Sequence, residues 1–350
     1  MSNTIKIAMC GCGHIAPRWL EVFSKNSDIE LIAIADPNPD EFKKLNDFDL
    51  QNVKKYSNLD AVFANHKIDA VFILTPPQYH SRYIIEAIEH GIHVLTEKPL
   101  CVDLNQFLHI KKAAELAREK KIITAVNQQY RWNPRILSIH DSITQNRIGD
   151  IFLVNSIFNQ NNYHFKRWWR KQHSYISIFN WYIHIIDSMR YYLSQKPISV
   201  SARFIRPPHS KILGYSSLLM DVNFESGTVW HLTANQESIA GPTTSGHSRF
   251  TMYGSEGTLV NTKNDPPYIY TKDGEKMELG ENIADIDNES TYPPGWADTV
   301  EKFVHSIRTG QEHPTSIFDN LWTMSILLAA IKSHENNREV KISEIFGEKK

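Results

Sequence analysis

The strongest constraint on this chain is Gly11-x-Gly13-x-x-Ala16, set between an apolar run and an amphipathic one. Ile5 to Met9 is short, β-branched and apolar, the pattern of a fully buried strand. Trp19, Leu20 and Phe23 then recur at helical spacing. Glycine at 11 permits a tight turn, glycine at 13 lets the backbone approach a pyrophosphate, and a small residue at 16 permits close helix–strand packing. The following helix N-terminus offers N–H groups to that anion. A second apolar run, Leu31 to Ala35, ends in Asp36, where a carboxylate accepts hydrogen bonds from the adenosine ribose hydroxyls. The plainer reading, a glycine turn in some other α/β unit, does not account for Asp36.

Strand-like and helix-like patterns alternate to about residue 127. Asp69 to Leu74 reads as a third buried strand, ended by Thr75-Pro76-Pro77. Tyr79 to Glu89 reads as a helix that Gly91 closes. His93 to Thr96 is a fourth strand, Leu104 to Arg118 a long helix and Ile122 to Val126 a fifth strand. This alternation predicts a doubly wound parallel sheet over residues 1–127. Such sheets bind ligands at the carboxyl ends of their strands, and those ends carry Gly11, Asp36, Thr75, Glu97-Lys98-Pro99 and Asn127.

After Pro134 the texture changes. A helix through Ile143 leads to a strand at Ile151 to Val154. Antiparallel strands are then predicted over Ile198–Arg206, Ser217–Phe224, Thr228–Ala234, Arg249–Tyr253 and Gly257–Asn261. Phe179–Tyr192 reads as one helix, and Trp296–Thr309 and Ile317–His334 close the chain. The expectation is an α/β protein whose second, α+β domain (128–340) carries a large open, mainly antiparallel sheet. The last helices have the option of packing back on the first domain. One face of the sheet is expected under helices. The other is expected to meet a second subunit, as a homodimer or homotetramer, because a sheet so rich in Trp, Leu and Val should not face water bare.

Composition narrows the partners. At 350 residues two domains are natural. A net charge of −1 with 22% charged residues carries no overall balance toward nucleic acid or membrane. Cys10, Cys12 and Cys101 have neither disulfide nor zinc spacing, which fits a reducing cytoplasm. No signal-peptide pattern opens the chain, and no run approaches the ~20 apolar residues of a membrane span. A cytoplasmic protein acting on a small molecule is expected.

Three groups could do chemistry. Lys98 follows a buried strand, and Pro99 holds it extended at the crevice. Elsewhere a strand-end lysine is usually a solvated charge. His184 shares a helix face with Asn180 and Asp187 at i, i+4 and i+7. A His–Asp pair could ligate a metal, but one pair makes no site, and a satisfied core histidine is the commoner case. Residues 151–220 hold one acid, Asp187, against Lys166, Arg167, Arg170, Lys171, Arg190, Lys196, Arg203, Arg206 and Lys211, with Phe165, Trp168 and Trp169 interleaved. An anionic small substrate or a solvated loop explains this stretch better than single-stranded nucleic acid does.

Taken together, the chain resembles the Gfo/Idh/MocA oxidoreductases, the glucose–fructose oxidoreductase and inositol dehydrogenase family, from Ile5 to about Ile342. The motifs are Gly11-Cys12-Gly13-His14-Ile15-Ala16, Ala35-Asp36-Pro37, Thr75-Pro76-Pro77-Gln78-Tyr79-His80 and Glu97-Lys98-Pro99-Leu100. They continue with Tyr130-Arg131-Trp132-Asn133-Pro134, His184-Ile185-Ile186-Asp187 and Tyr253-Gly254-Ser255-Glu256-Gly257. The resemblance implies an N-terminal Rossmann domain, an open-sheet second domain and oxidation of a sugar or cyclitol hydroxyl by NAD, with NADP less favoured because Asp36 would repel a 2′-phosphate. It implies cofactor contacts from Gly11, Gly13, His14, Ile15, Asp36, Thr75, Pro76, His80, Glu97, Lys98, Asn127 and Arg131. It implies substrate contacts from Lys98, Trp132, Asn162, Trp169, Arg170, Asn180 and His184, and no metal. His184 is then the general base, with Lys98 and Asn180 beside it in catalysis.

The chain departs from the family at two places. An Asp usually stands four residues before the catalytic His, and a Gly pair eight or nine before it; here Asn180 and Tyr175-Ile176 stand there. Asn180 can orient a ligand but cannot ionise. It resembles the UDP-N-acetylglucosaminuronate 3-dehydrogenase branch, which handles an anionic nucleotide sugar. The family also contains a non-catalytic repressor, so an NAD-binding sensor is the alternative, and an enzyme that recycles a tightly held NAD is a third reading.

Overall fold

In a computed structural model that describes residues 4–160, 174–175, 177–210, 212–238, 249–262, 265–280 and 295–347, the run Ile5–Cys10 forms β1 at the middle of a six-stranded sheet. The other strands are β2 (Ile29–Ala35), β3 (Lys54–Tyr56), β4 (Ala70–Ile73), β5 (His93–Thr96) and β6 (Thr124–Val126). Their order is β3-β2-β1-β4-β5-β6, and every pairing is parallel. The order reverses between β1 and β4, which is the switch point where such sheets open a crevice. All four residues of β4 are buried, as helices on both faces require. The strand missing from the sequence reading, β3, is Lys-Lys-Tyr: short and charged, as edge strands are, and without the apolar run that marks the others.

Five helices connect these strands: α1 (Ala16–Ser24), α2 (Pro39–Lys43), α3 (Leu59–Asn65), α4 (His80–Glu89) and α5 (Leu104–Glu119). Gly91 stands just past α4 at φ +76°, where a glycine ends a helix without Cβ strain. The chain forms two compact units, Met1–Gln129 with Pro294–Leu321, and Tyr130–Pro293 with Trp322–Lys350. The first unit therefore also contains α8 (Trp296–Thr309), whose Trp296, Val300, Phe303 and Val304 enter its core. Trp296 packs 4.7 Å from Trp19, and Phe303 meets Phe72 edge-on at 5.9 Å. Beyond α8 the backbone runs beside β6: the Val126 N–H donates to the Thr315 carbonyl (2.8 Å) and Thr315 Oγ1 donates back to the Val126 carbonyl (2.7 Å). That pairing covers an edge that would otherwise be open.

The second unit begins with α6 (Pro134–Thr144) and β7 (Ile151–Asn159). Later come α7 (Ile183–Leu193), β8 (Pro197–Ile205), β9 (Ser217–Phe224) and β10 (Val229–Asn235). Then follow β11 (Arg249–Gly254), β12 (Gly257–Asn261), β13 (Tyr268–Thr271) and β14 (Lys276–Glu278). After α9 (Ile317–Asn336), which is shared by the two units, β15 (Val340–Lys341) and α10 (Ile342–Phe346) end the described chain. Nine strands form one sheet in the order β14-β13-β12-β11-β7-β10-β9-β8-β15, antiparallel except for the parallel pair β7–β10.

Burial alternates along β9 and β10, so one face is covered and one is not. Tyr182 and Tyr192, at the two ends of the α7 region, pack on Phe158 and Phe250 of the covered face. The expectation that tryptophan contributes to the open face is corrected: Trp230 is fully buried and its indole N–H donates to Ser156 Oγ (2.9 Å). An indole buried whole must place its N–H, and the inner face supplies the acceptor. Expected as one helix from Phe179, the segment is instead a π-helical turn over Ile178–Tyr182 that passes into α7.

Candidate functional site

In the first unit the glycine turn is fixed by two neighbours. The Gly11 N–H donates to the Ala35 carbonyl (2.8 Å), and the Leu74 N–H donates to the Cys10 carbonyl (2.7 Å). Gly11 has φ +97°, and a Cβ there would stand 2.7 Å from the Leu74 carbonyl carbon. Only glycine fits, because β4 ends against this turn. Gly13 differs: a Cβ would meet nothing within 4 Å. Its function is to leave room. The open space over Gly13, the start of α1 behind it and the buried Thr75 Oγ1, which has no hydrogen-bond partner among the described residues, fit a bound pyrophosphate-containing cofactor. His14, exposed, and Ile15 complete the turn.

Asp36 is held rigidly at the end of β2. Its Oδ2 accepts from the Cys12 N–H (2.8 Å) and its Oδ1 from the Asn38 N–H (2.9 Å). A carboxylate has lone pairs beyond these two, so a ribose diol can still be received. The thiols of Cys10, Cys12 and Cys101 are all buried, and burial pushes each up.

Glu97 is the centre of a buried network. Its Oε1 accepts from Trp19 Nε1 (3.0 Å) and Asn127 Nδ2 (2.9 Å), and its Oε2 from the Lys98 N–H (3.2 Å). Burial raises its pKa, against these donors and the Lys98 charge. The network ties α1, β5 and the end of β6 to the Lys98 backbone, and the Lys98–Pro99 peptide is cis. His80, completely buried, places Nδ1 2.8 Å from the Pro99 carbonyl and Nε2 2.8 Å from the Thr75 carbonyl. It therefore joins the loop after β4 to the loop after β5, and its nitrogens are engaged there. Burial lowers its pKa, opposed by the two carbonyls. Thr75 and Pro76 lie on the first of these loops, so Gly11, Gly13, Asp36, Thr75, Lys98 and Asn127 all stand at carboxyl ends of the parallel strands. Trp19 enters the sequence reading only through its helical spacing; its indole N–H is the overlooked signal.

The second unit holds the other candidates. Arg131 forms a bidentate pair with Asp187, Nε to Oδ2 and Nη2 to Oδ1 at 2.7 Å each, with both side chains 3% exposed. Thr323 Oγ1 adds a third donor to Oδ1 (2.7 Å), and Arg190 Nε donates to Thr323 (3.1 Å). Asp187 is thus the acceptor of a structural pair, which removes it as a metal-ligand partner for His184. Tyr130 lies against the His184 ring, centroids 4.4 Å apart, and His184, Asn180 and Trp132 are buried. Where the family carries a Gly pair, Tyr175 packs among Phe204, Tyr215 and His334 and donates to Glu335 Oε1 (3.0 Å). Close backbone approach at this place comes from the facing segment: a Cβ on Gly214 would stand 2.0 Å from the Ser174 carbonyl oxygen.

Of the basic stretch, Lys166, Arg167, Arg170, Lys171 and Lys211 lie outside the described residues, as do Asn162 and Trp169. Arg190 is buried, Arg206 Nε donates to the Ile212 carbonyl (2.9 Å) and Lys196 lies over the Trp322 ring. These three cations thus serve separate contacts, and Arg203 is exposed. Polar residues the sequence reading passed over gather where β7 and β10 end: Gln160, Gln236 and Glu237, the last two buried. Their signal was a polar run, Asn235-Gln236-Glu237, directly after a predicted strand.

Comparison with known proteins agrees with this fold. Residues 5–128 match the family model described as "Oxidoreductase family, NAD-binding Rossmann fold", and residues 136–260 match "GFO/IDH/MocA C-terminal domain". Inositol 2-dehydrogenase of Rhizobium meliloti is 22% identical over 346 residues, covering 97% of this chain and all of that protein. An oxidoreductase from Agrobacterium radiobacter, crystallised with NAD+, L-tartaric acid and magnesium, superposes with a TM-score of 0.87 at 20% identity, covering 98% of this chain and 100% of that one. The WlbA dehydrogenase of Bordetella pertussis, crystallised with NADH and UDP-GlcNAcA, gives 0.80 at 19% identity, covering 97% and 98%.

Proposed function

Since the chain belongs to the GFO/IDH/MocA oxidoreductases, we propose that it is an NAD-dependent dehydrogenase oxidising a secondary hydroxyl of a sugar, a sugar derivative or a cyclitol. The observation that carries this reading is a lysine, Lys98, held by the buried Glu97 network at the same strand ends that bear the glycine turn, Asp36 and Thr75. When bound, NAD supplies the hydride acceptor, nicotinamide C4. Gly11, Gly13 and the start of α1 hold the pyrophosphate, and Asp36 receives the adenosine ribose. Lys98 stabilises negative charge developing on the substrate oxygen. His184 accepts the hydroxyl proton, and Asn180, which cannot ionise, orients the ligand. Arg131 acts indirectly, through Asp187, and Trp132, Asn162, Trp169 and Arg170 contact the ligand. NAD is preferred to NADP because Asp36 would face a 2′-phosphate.

Named relatives support more than one substrate. The Rhizobium protein is named for a cyclitol, and the Bordetella crystal contains an acidic nucleotide sugar. The test is absorbance at the NADH band with NAD and a panel of cyclitols, neutral sugars, sugar phosphates and UDP-sugar acids. A rise with one class supports the dehydrogenase and names its substrate. Silence across the panel with NAD bound overturns the dehydrogenase in favour of a sensor.

A second copy of this chain is the proposed cover for the open sheet face. Leu153, Ile157, Leu219, Val229, Tyr253 and Val260 alternate there with Thr, Asn, His and Asp, and Ile157 is 49% exposed. Nine strands of half-apolar surface are larger than a monomer ordinarily leaves to water.

A further inference from the structure

β7 and β10 run parallel in register, Asn159 opposite Asn235, so their carboxyl ends finish together. The next residues are Gln160 on one and Gln236-Glu237 on the other. Backbone bonds lock them: the Gln160 N–H donates to the Asn235 carbonyl (2.8 Å), the Gln236 N–H to the Ser216 carbonyl (3.0 Å) and the Ser238 N–H to the Gln160 carbonyl (3.0 Å). Two side-chain bonds tie this group to the turn ahead of His184. Ser177 Oγ stands 3.0 Å from Gln236 Oε1, and Tyr182 Oη donates to the Ser216 carbonyl (2.6 Å). Ser216 Oγ in turn donates to Glu237 Oε2.

These bonds do not use up the buried polar atoms. Glu237 Oε1, Gln236 Nε2, Gln160 Oε1 and Trp181 Nε1 have no hydrogen-bond partner among the described residues. Gln236 is fully buried and Glu237 is 4% exposed. Turning the Gln236 amide does not solve the problem. Ser177 has one proton, and the Tyr215 carbonyl lies 2.8 Å from it, so either orientation leaves one end of the amide over. Trp181 is placed with the others only by its position on the turn that Ser177 and Tyr182 tie to this group, and a folded chain does not leave so many buried polar atoms unpaired unless something else pairs with them. What remains is mixed: an indole donor, an amide end and a carboxyl oxygen that accepts. Neighbouring hydroxyls, each able to donate and accept, match such a set.

We propose that Gln236 and Glu237, with Gln160 and Trp181, are the specificity-determining groups of the substrate site, reading the neutral hydroxyls of a polyol. Glu237 accepts a hydrogen bond from a substrate hydroxyl and keeps carboxylates and phosphates from that position. Any acidic part of the substrate therefore lies elsewhere in the site. This rests on the dehydrogenase reading only for the identity of the site as catalytic.

The test is titration calorimetry of the full-length protein with NADH present, against myo-inositol, D-glucose and the monodeoxy derivatives of D-glucose. At least one monodeoxy sugar should bind the wild-type protein on the order of tenfold more weakly than its parent. In Glu237→Gln, which preserves shape, that difference should collapse to within about twofold while NADH affinity stays unchanged. A merely structural glutamate would weaken every sugar alike. Uniform weakening, an unchanged deoxy penalty in the variant, or no binding of any of these polyols by the wild-type protein would each overturn the proposal. NAD reduction by the same sugars is followed separately, by absorbance. Hydroxyl-selective binding without NAD reduction would overturn the dehydrogenase and leave this assignment standing; turnover with no change in Glu237→Gln would do the reverse.

Discussion

Asp36 and Lys98 carry the sharpest consequences of single side chains. Both oxygens of Asp36 are already engaged by backbone N–H groups, so its carboxylate cannot swing away from a 2′-phosphate. The wild-type protein should bind NADH at least on the order of tenfold more tightly than NADPH, and Asp36→Ser should bring the two within about threefold, as read by nucleotide fluorescence. Equal affinities in the wild type would remove Asp36 as the selector. Lys98 meets the crevice with its backbone fixed by Glu97, so Lys98→Met should lower kcat by on the order of 10²–10³ and leave the Kd for NADH unchanged. Retained turnover in that variant would reassign the lysine to a structural role.

At the scale of elements, α3 and α4 meet through two acids. Burial and the neighbouring Asp60 carboxyl push Glu86 up to about 7, opposed by Arg82. A raised carboxyl favours folding while it stays protonated, so this contribution is present below about pH 4.5 and is lost as pH climbs through 7. Glu86→Gln should therefore raise Tm by a few degrees at pH 8 and by much less at pH 5, as followed by circular dichroism. The Arg131–Asp187 pair acts between the turn at 129–132 and α7. Removing one partner leaves a buried charge, so Asp187→Ala should cost about 3–5 kcal/mol by denaturant titration, and Arg131→Met with Asp187→Leu should recover most of it. A single-site loss under about 1 kcal/mol would mean that water reaches the guanidinium. The sequence was informative wherever apolar periodicity and turn chemistry agree. β1, β5, β9 and β12 lie where their patterns put them, to within a residue. It was silent on β3 and β14, which are three residues each, two of them charged, and on the π turn, because Ile178–Tyr182 is as apolar as the α-helix it leads into. Among the site residues, the glycines and Asp36 were legible because backbone geometry demands them. The engagement of Asp187 with Arg131 was not, since it joins residues 56 positions apart. Gln236 and Glu237 escaped notice because a polar pair after a strand is ordinary until its burial is known.

Across the whole molecule, the described residues contain no helix long and apolar enough to cross a membrane, while one large sheet face stays uncovered. If a second copy covers it, Ile157→Lys with Leu219→Lys should halve or quarter the mass seen by light scattering, since the two side chains flank Thr233 in adjacent strands. A wild-type monomer would show that the face tolerates water. The chain's path through the first unit has a further consequence, for biosynthesis. Trp296, Val300, Phe303 and Val304 fill a core begun by Ile5 and Met9, and Thr315 pairs with Val126 across 189 positions. A ribosome delivers residues in order, and domains commonly fold as they emerge. Here the stretch that appears first lacks part of its interior until Pro294–Leu321 is made, so the nascent dinucleotide-binding sheet must wait, incomplete and in need of protection, while Tyr130–Pro293 of the second unit emerges.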